Sequence, residues 1–234
     1  MKVLLSWSSG KDSAWALHVL RQQAGLEIAG LITTINSAFD RVAMHSTRRS
    51  LVEMQAAAAG LPLVPVPLPW PCSNADYECA MKAVCDQAVA DGVSAIAFGD
   101  LFLADIRAYR ERQLANTGLE PLFPLWQIPT DELAREMISS GLKARLVCVD
   151  PKKLHSGFAG REFDEQLLRD LPGGVDPCGE NGEFHTFAYA GPMFSHPIRI
   201  TAGERVQRDG FWFADLAPGG FPSTEEMQRE DRLR

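Results

Sequence analysis

The sequence predicts an α/β protein: a parallel sheet with helices on both faces, followed by a smaller α+β unit. Three observations predict it. Short apolar runs alternate with helix-period segments through the first half of the chain. A polar stretch, Ser8-Ser9-Gly10-Lys11-Asp12-Ser13, follows the first apolar run directly and leads into a helix. Beyond about residue 128 the pattern changes to proline punctuation, short helices and glycine-rich turns.

Val3-Leu4-Leu5 reads as a buried strand. Asp12 or Ser13 is placed to cap a helix running to about Gly25, with Trp15, Ala16, Val19 and Leu20 on one face. Ile28 to Thr34 is a second buried strand, and Ser46 to Ala59 a helix that Gly60 stops. Leu61 to Leu68 is strand-like, but Pro62, Pro65 and Pro67 confine it to an edge or shorten it. Asn74 to Asp91 is a helix, Val93 to Phe98 a strand ending in Gly99-Asp100, and Leu103 to Asn116 a charged helix. Pro121, Pro124 and Pro129 punctuate the region around Trp126. Helices at Thr130 to Ser140 and Gly160 to Asp170 flank a strand at Ala144 to Val149, and Arg205 to Leu216 reads as β. These elements suggest units at residues 1–128 and 129–222 and a flexible tail at 223–234.

At 234 residues, 46% of them hydrophobic, the chain can bury a core without staples. A net charge of −7 argues against nucleic acid as a partner. The five cysteines contain no C-x-x-C pair, so neither a zinc knuckle nor a disulfide framework is indicated. No run approaches the roughly 18 apolar residues of a membrane span. Ser8 to Ser13 interrupts the N-terminal apolar run before a signal core is complete. The expectation is a cytoplasmic protein with reduced thiols and no membrane partner; homo-oligomerisation is left open.

The polar stretch at 8–13 carries the chemistry. Between a strand and a helix, backbone N–H groups converge and the helix dipole favours an anion. Gly10 permits close approach to phosphates, Ser8 and Ser13 add hydroxyls, and Lys11 supplies charge. Asp12 suits a helix cap or an orienter of Mg²⁺ and its waters. A Walker A loop is excluded, because position 5 is Leu and Asp12 follows the lysine. Gly99-Asp100 ends the fourth strand, on the same carboxyl edge where ligands of such sheets sit.

The loop resembles the S-G-G-K-D-S signature of N-type ATP pyrophosphatases (PP-loop enzymes), with Ser9 in place of the first glycine. Further motifs resemble those of the diphthine-ammonia ligase family: Gly99-Asp100-Leu101-Phe102 followed by Arg107 and Glu111, Leu119-Glu120-Pro121-Leu122, Pro124-Leu125-Trp126, Val175 to Thr186, and Gly191-Pro192-Met193-Phe194. Together they run from residue 3 to about 194. The resemblance implies a Rossmann-like sheet of the adenine nucleotide alpha hydrolase type. It also implies cleavage of ATP between its α and β phosphates, with a carboxylate adenylated and ammonia completing an amide. The acceptor so implied is diphthine, a modified histidine on a translation elongation factor, and ATP with Mg²⁺ is the cofactor set. Ser8, Ser9, Gly10, Lys11, Asp12, Ser13, Gly99 and Asp100 would hold the nucleotide. His45, Arg107, Gly179, Glu180 and Glu183 would meet the acceptor, and Lys11, Asp12, Glu180 and Glu183 would do the chemistry. Arg107 offers a bidentate clamp, and Glu180 with Glu183 can hold ammonium or deprotonate it. Two other readings stay open: a tRNA-modifying pyrophosphatase, which would need a reactive thiol such as Cys178, and a nucleotide-binding module without turnover.

Overall fold

The computed structural model describes residues 1–42 and 46–220. The expected acceptor contact His45 and the expected tail at 223–234 lie outside the described residues. Strand β1 (Lys2–Ser6) is the centre of a six-stranded sheet. It pairs in parallel with β2 (Glu27–Asn36) on one side and β5 (Ala95–Ala97) on the other. Outside β2 lies β4 (Leu63–Leu68), parallel; outside β5 lies β6 (Glu120–Leu122), also parallel. A two-residue strand, β3 (Arg41–Val42), folds back antiparallel on the end of β2. Pro65 and Pro67 sit on this outer strand and Pro62 just before it, as a missing N–H demands.

Helix α1 (Lys11–Gln22) and α2 (Arg49–Ala59) cover one face. Helix α3 (Asn74–Ala90) and α4 (Ala104–Leu114) cover the other. Gly60 ends α2 in the left-handed conformation at φ 65°, as its position implied. Chain order reverses at β1, so the loops after β1 and β5 stand side by side at the topological switch point, where open α/β sheets bind ligands.

A separate antiparallel sheet has the order β8-β7-β10-β9: β7 is Lys143–Val149, β8 Phe184–Ala190, β9 Ile200–Arg208 and β10 Phe211–Pro218. Helices α5 (Thr130–Ser139) and α6 (Glu165–Asp170) accompany it. One continuous core joins both parts: Trp7, Trp15 and Leu51 are buried with Leu133, Phe163, Phe184 and Phe187. Each large apolar side chain fully buried there stabilises the fold by roughly 1.5–3 kcal/mol. Among the described residues no helix is long and apolar enough to cross a membrane.

Four expectations are corrected. Helix α1 begins one residue before Asp12 with Gly10 as N-cap, because the Ser13 hydroxyl turns back to Gly10 O at 3.0 Å. Helix α2 starts at Arg49, three residues late, since Thr47 is used elsewhere. Gly160 to Asp164 is not helical: Gly160 has φ 84° and Glu162 bridges to Arg145 in β7. The proline-rich segment near Trp126 contains an edge strand, β6, that its prolines disguised.

Candidate active site

Residues 8–13 form the turn between β1 and α1. Ser8 Oγ lies 3.1 Å from Ser13 Oγ and accepts from Gly10 N at 3.3 Å, so the loop closes on itself. Ser9, where the resembling signature has glycine, adopts φ 71°, a backbone conformation that costs an L-residue about 1–2 kcal/mol. Its surroundings hold it there. The buried Oγ meets Thr47 Oγ1 at 2.9 Å, and its carbonyl accepts from Gln55 Nε2 and Ala188 N, both at 3.0 Å.

The second sheet meets the loop at this point. Thr186 Oγ1, on β8, accepts from Lys11 N at 3.0 Å. Lys11 is 1% exposed, and its Nζ bonds both Asp12 carboxylate oxygens at 2.9 Å and the carbonyl of Cys178. Burial alone would lower its pKa, but Asp12, Cys178 and Glu180 outweigh burial and raise it, so the ammonium stays charged. Asp12 is therefore the partner of Lys11 rather than the helix cap.

Ser8, Lys11, Asp12, Ser13, Gly99, Asp100, Gly179 and Glu180 line one cleft of about 510 Å³, within the range of small-molecule sites. Its apolar wall includes Ile32, Met81, Ile96 and Phe98. Two glycines are dictated by close approach. A Cβ on Gly99 would lie 3.0 Å from Asp12 C and from Ser13 N, in the first turn of α1. Gly179 has φ 72°, and a Cβ there would meet Phe184 O at 2.8 Å.

Glu180 enters the cleft from the second half of the chain. Its Oε1 accepts from Leu101 N at 2.8 Å, while its own N–H donates to Asp176 Oδ2 at 2.8 Å. Burial, with Asp12 and Asp100 adding negative charge, pushes its carboxyl up to about 7 against the pull of Leu101 N–H and Lys11. Glu183 departs from the expectation that both carboxylates face the cleft. It is 3% exposed and accepts from Asp176 N at 3.0 Å and Asn181 Nδ2 at 3.2 Å, organising the turn that presents Glu180. Arg107 is also turned aside. It pairs with Glu111 at 2.8 Å and packs on the rings of Phe123 and Trp126, 4.7 and 4.8 Å from their centroids. Arg110 lines the cleft instead, 3.5 Å from Asp100 Oδ2 and 4.9 Å over Phe98.

Arg110 and His185 are among the cleft residues not singled out from sequence; burial pushes the His185 ring down to about 4, with Lys11 adding to the effect. Cys178 is 2% exposed, its Sγ approaches Thr130 O at 3.4 Å, and burial pushes its thiol well above the ordinary range. A thiol so held is a poor nucleophile, which disfavours a sulfur-carrying role. All five cysteines are free.

The cleft thus offers a buried cation beside a phosphate-sized turn, and a near-neutral carboxylate from a distant segment. A model of the diphthamide synthase N-terminal domain matches residues 1–121, and one of the diphthamide synthase C-terminal domain matches residues 129–217. The chain belongs to the diphthamide synthase family. It is accordingly an enzyme, an ATP-dependent ligase that forms an amide. A diphthine–ammonia ligase of Danio rerio is 31% identical over 256 aligned positions, covering 99% of this chain and 98% of that protein. Those of Mus musculus and Homo sapiens are 35% and 33% identical over 58% and 65% of this chain. The chain spans 52% and 57% of those two proteins' own lengths.

Proposed function

We propose that this cleft adenylates the carboxylate of diphthine on a translation elongation factor in the cytoplasm and passes the acyl group to ammonia. One observation carries the reading: the loop at 8–13 and the segment 178–186, far apart in sequence, line the same cleft. Amide formation needs both reactants oriented together, and such positioning supplies several kcal/mol of the barrier.

The carboxylate oxygen attacks the α-phosphorus, the bond to the bridging oxygen breaks, and pyrophosphate leaves. Lys11 and the loop N–H groups hold the phosphate charge as it develops. Glu180, with a carboxyl near 7, is suited to take a proton from ammonium. Ammonia then attacks the acyl carbon and AMP departs with the former carboxylate oxygen. Asp100 adds a second carboxylate that favours an ammonium ion in the cleft. Among the described residues no three metal-ligating side chains converge. That fits Mg²⁺ arriving with ATP, largely ligated by phosphate and water, with Asp12 and Asp100 as the carboxylates that would meet its shell. Magnesium would neutralise polyphosphate charge there.

Incubating the protein with Mg-ATP, ammonium and elongation factor isolated at the diphthine stage tests the reading. AMP, pyrophosphate and the acid-to-amide mass change on the factor are expected. ADP with phosphate as main products would overturn it.

A further inference from the structure

Glu180 belongs to a closed ring of hydrogen bonds drawn from three separate segments of the chain. Its Oε1 accepts from Leu101 N, and Leu101 O accepts in turn from Gln127 N at 2.8 Å. Three residues beyond Gln127, Thr130 begins α5, and its hydroxyl donates to Asp176 Oδ1 at 2.5 Å. Asp176 Oδ2 accepts from Glu180 N at 2.8 Å and closes the ring. Leu101 and Asp176 are both buried, where hydrogen bonds are shielded from water.

Two features of the ring go beyond ordinary turn geometry. Gln127 adopts φ 60°, a left-handed conformation that disfavours residues with a Cβ. Its side chain is exposed, and the conformation aims its backbone N–H at Leu101 O. Strain of this kind persists where the surroundings over-determine it, and it gathers at active sites. The second feature is Asp176, a carboxylate only 8% exposed. Besides the two bonds to its carboxylate, its N–H donates to Glu183 Oε1 at 3.0 Å and its carbonyl accepts from Gly179 N at 2.9 Å. All four polar atoms of this one residue therefore serve the turn that carries Glu180. Burying a charge is costly, and it is tolerated where hydrogen bonds satisfy the charge.

Resting on the ligase reading above, we propose that Asp176 is a positioning residue for the ammonia half-reaction: with Thr130 it fixes the backbone of Glu180, while Leu101, anchored by Gln127, fixes the carboxyl. A side chain held at both ends loses little further freedom when it meets its substrate, and proton transfer requires hydrogen-bond distance. In the step served, an N–H bond of ammonium breaks, its electron pair stays on nitrogen, and the proton forms an O–H bond on Glu180.

The test uses the full chain labelled with δ-¹³C glutamate, in which the Glu180 signal is the one missing from Glu180→Gln. In the parent it should titrate near 7. Asp176→Ala opens the ring and lets the carboxyl move toward water. Its titration should fall toward the ordinary 4.5, and kcat should drop on the order of 10²-fold, the cost of a misplacement of about 1 Å. Nucleotide Kd should change by less than about threefold. Asp176→Asn removes the same charge, but its amide can still accept from Glu180 N and donate to Thr130 Oγ1, so it should keep the parental titration and most of the turnover. Lys11, Asp12 and Asp100, which also act on the Glu180 carboxyl, are the same in every variant. Thr130→Val deletes the hydroxyl and keeps the shape. It should move both readouts as the alanine variant does by a smaller step, roughly tenfold in kcat, and it carries the test should Asp176→Ala not fold. Parental titration and kcat in Asp176→Ala or in Thr130→Val, or an asparagine variant as impaired as the alanine one, would overturn the proposal. The Glu180 titration is read without ATP or acceptor, so failure of the ligase reading is seen separately, as the absence of amide product from the parent enzyme.

Discussion

At the scale of single residues, Lys11 and Glu180 divide the work between the two halves of the reaction. Lys11→Ala removes the only charge the loop offers to phosphate and leaves Asp12 without its partner, so nucleotide binding should fall sharply in a direct titration. Glu180→Gln keeps an acceptor for Leu101 N–H but cannot take a proton. Nucleotide affinity should persist while turnover drops roughly 10²- to 10⁴-fold, the usual worth of a general base. Equal loss of ATP affinity in both variants would remove Glu180 from the acceptor half-reaction. In the parent enzyme kcat/KM should rise with pH through an apparent value near 7. Stability should move the other way. The folded-state pKa of Glu180, about 7, exceeds the ordinary 4.5, so between those values the folded protein holds a proton the unfolded chain has lost. The stabilisation is fully present below 4.5 and is lost as pH rises through 7. Thermal midpoints measured from pH 4.5 to 8 should therefore fall less for Glu180→Gln than for the parent. Glu183→Gln should behave differently, destabilising by about 1 kcal/mol through the Asp176 and Asn181 contacts, a Tm drop of roughly 2–4 °C, with far smaller loss of turnover.

At the scale of elements, the site depends on how closely β5 approaches α1. A methyl group on Gly99 would press on the backbone of Asp12 and Ser13, so Gly99→Ala must displace the first turn of α1. Overpacking of this kind costs about 1–3 kcal/mol, and the expected result is a Tm drop of roughly 2–12 °C with weakened nucleotide binding. Unchanged affinity in a calorimetric titration would show that the turn tolerates displacement. Much of this layer was legible beforehand. The apolar runs, Gly60 and the prolines of β4 announce themselves through local rules that tertiary packing did not override. The helix start at Gly10 was not legible, because Ser13, a good capping residue, bonds Gly10 O instead. Nor were β3 and β6, whose two and three residues are too short for a period and owe their pairing to the neighbouring strand. Arg107 and Arg110 stand three apart on α4, a spacing that puts both on one face. Phe123 and Trp126, from beyond the helix, draw Arg107 aside and leave the cleft to Arg110. Glu180 and Glu183 show the same limit: three residues apart in a turn, they differ in direction because Gly182, at positive φ, bends the chain between them.

At the scale of the whole molecule, the question is whether the two halves suggested by the sequence, 1–128 and 129–222, stand alone. The packing argues that they do not. A single apolar core includes Val3 at one end and Leu216 at the other. Gln55 in α2 donates to Ser9 O and to Ala188 O, joining the loop to β8 through one buried side chain. Lys11 finds its non-local partners, Cys178 O and Thr186 Oγ1, only in the second half. Severing the chain would take Thr186 Oγ1 from Lys11 N, Cys178 O from the Lys11 ammonium, Ala188 N from the Ser9 carbonyl, and several large aromatic side chains from their counterparts. Unpaired buried polar groups cost about 1–3 kcal/mol each, a large share of the 5–15 kcal/mol that holds a typical domain. The full chain should therefore unfold in one cooperative transition by calorimetry and by urea, with fluorescence and circular dichroism coincident. A fragment comprising residues 1–128 should lack that transition and bind no nucleotide, although it carries the entire loop. Adding residues 129–220 in trans should restore both if the shared core is what stabilises the loop. Two resolved transitions in the full chain, or ATP binding by the isolated fragment, would show instead that the nucleotide half folds by itself and that the second half only supplies Glu180.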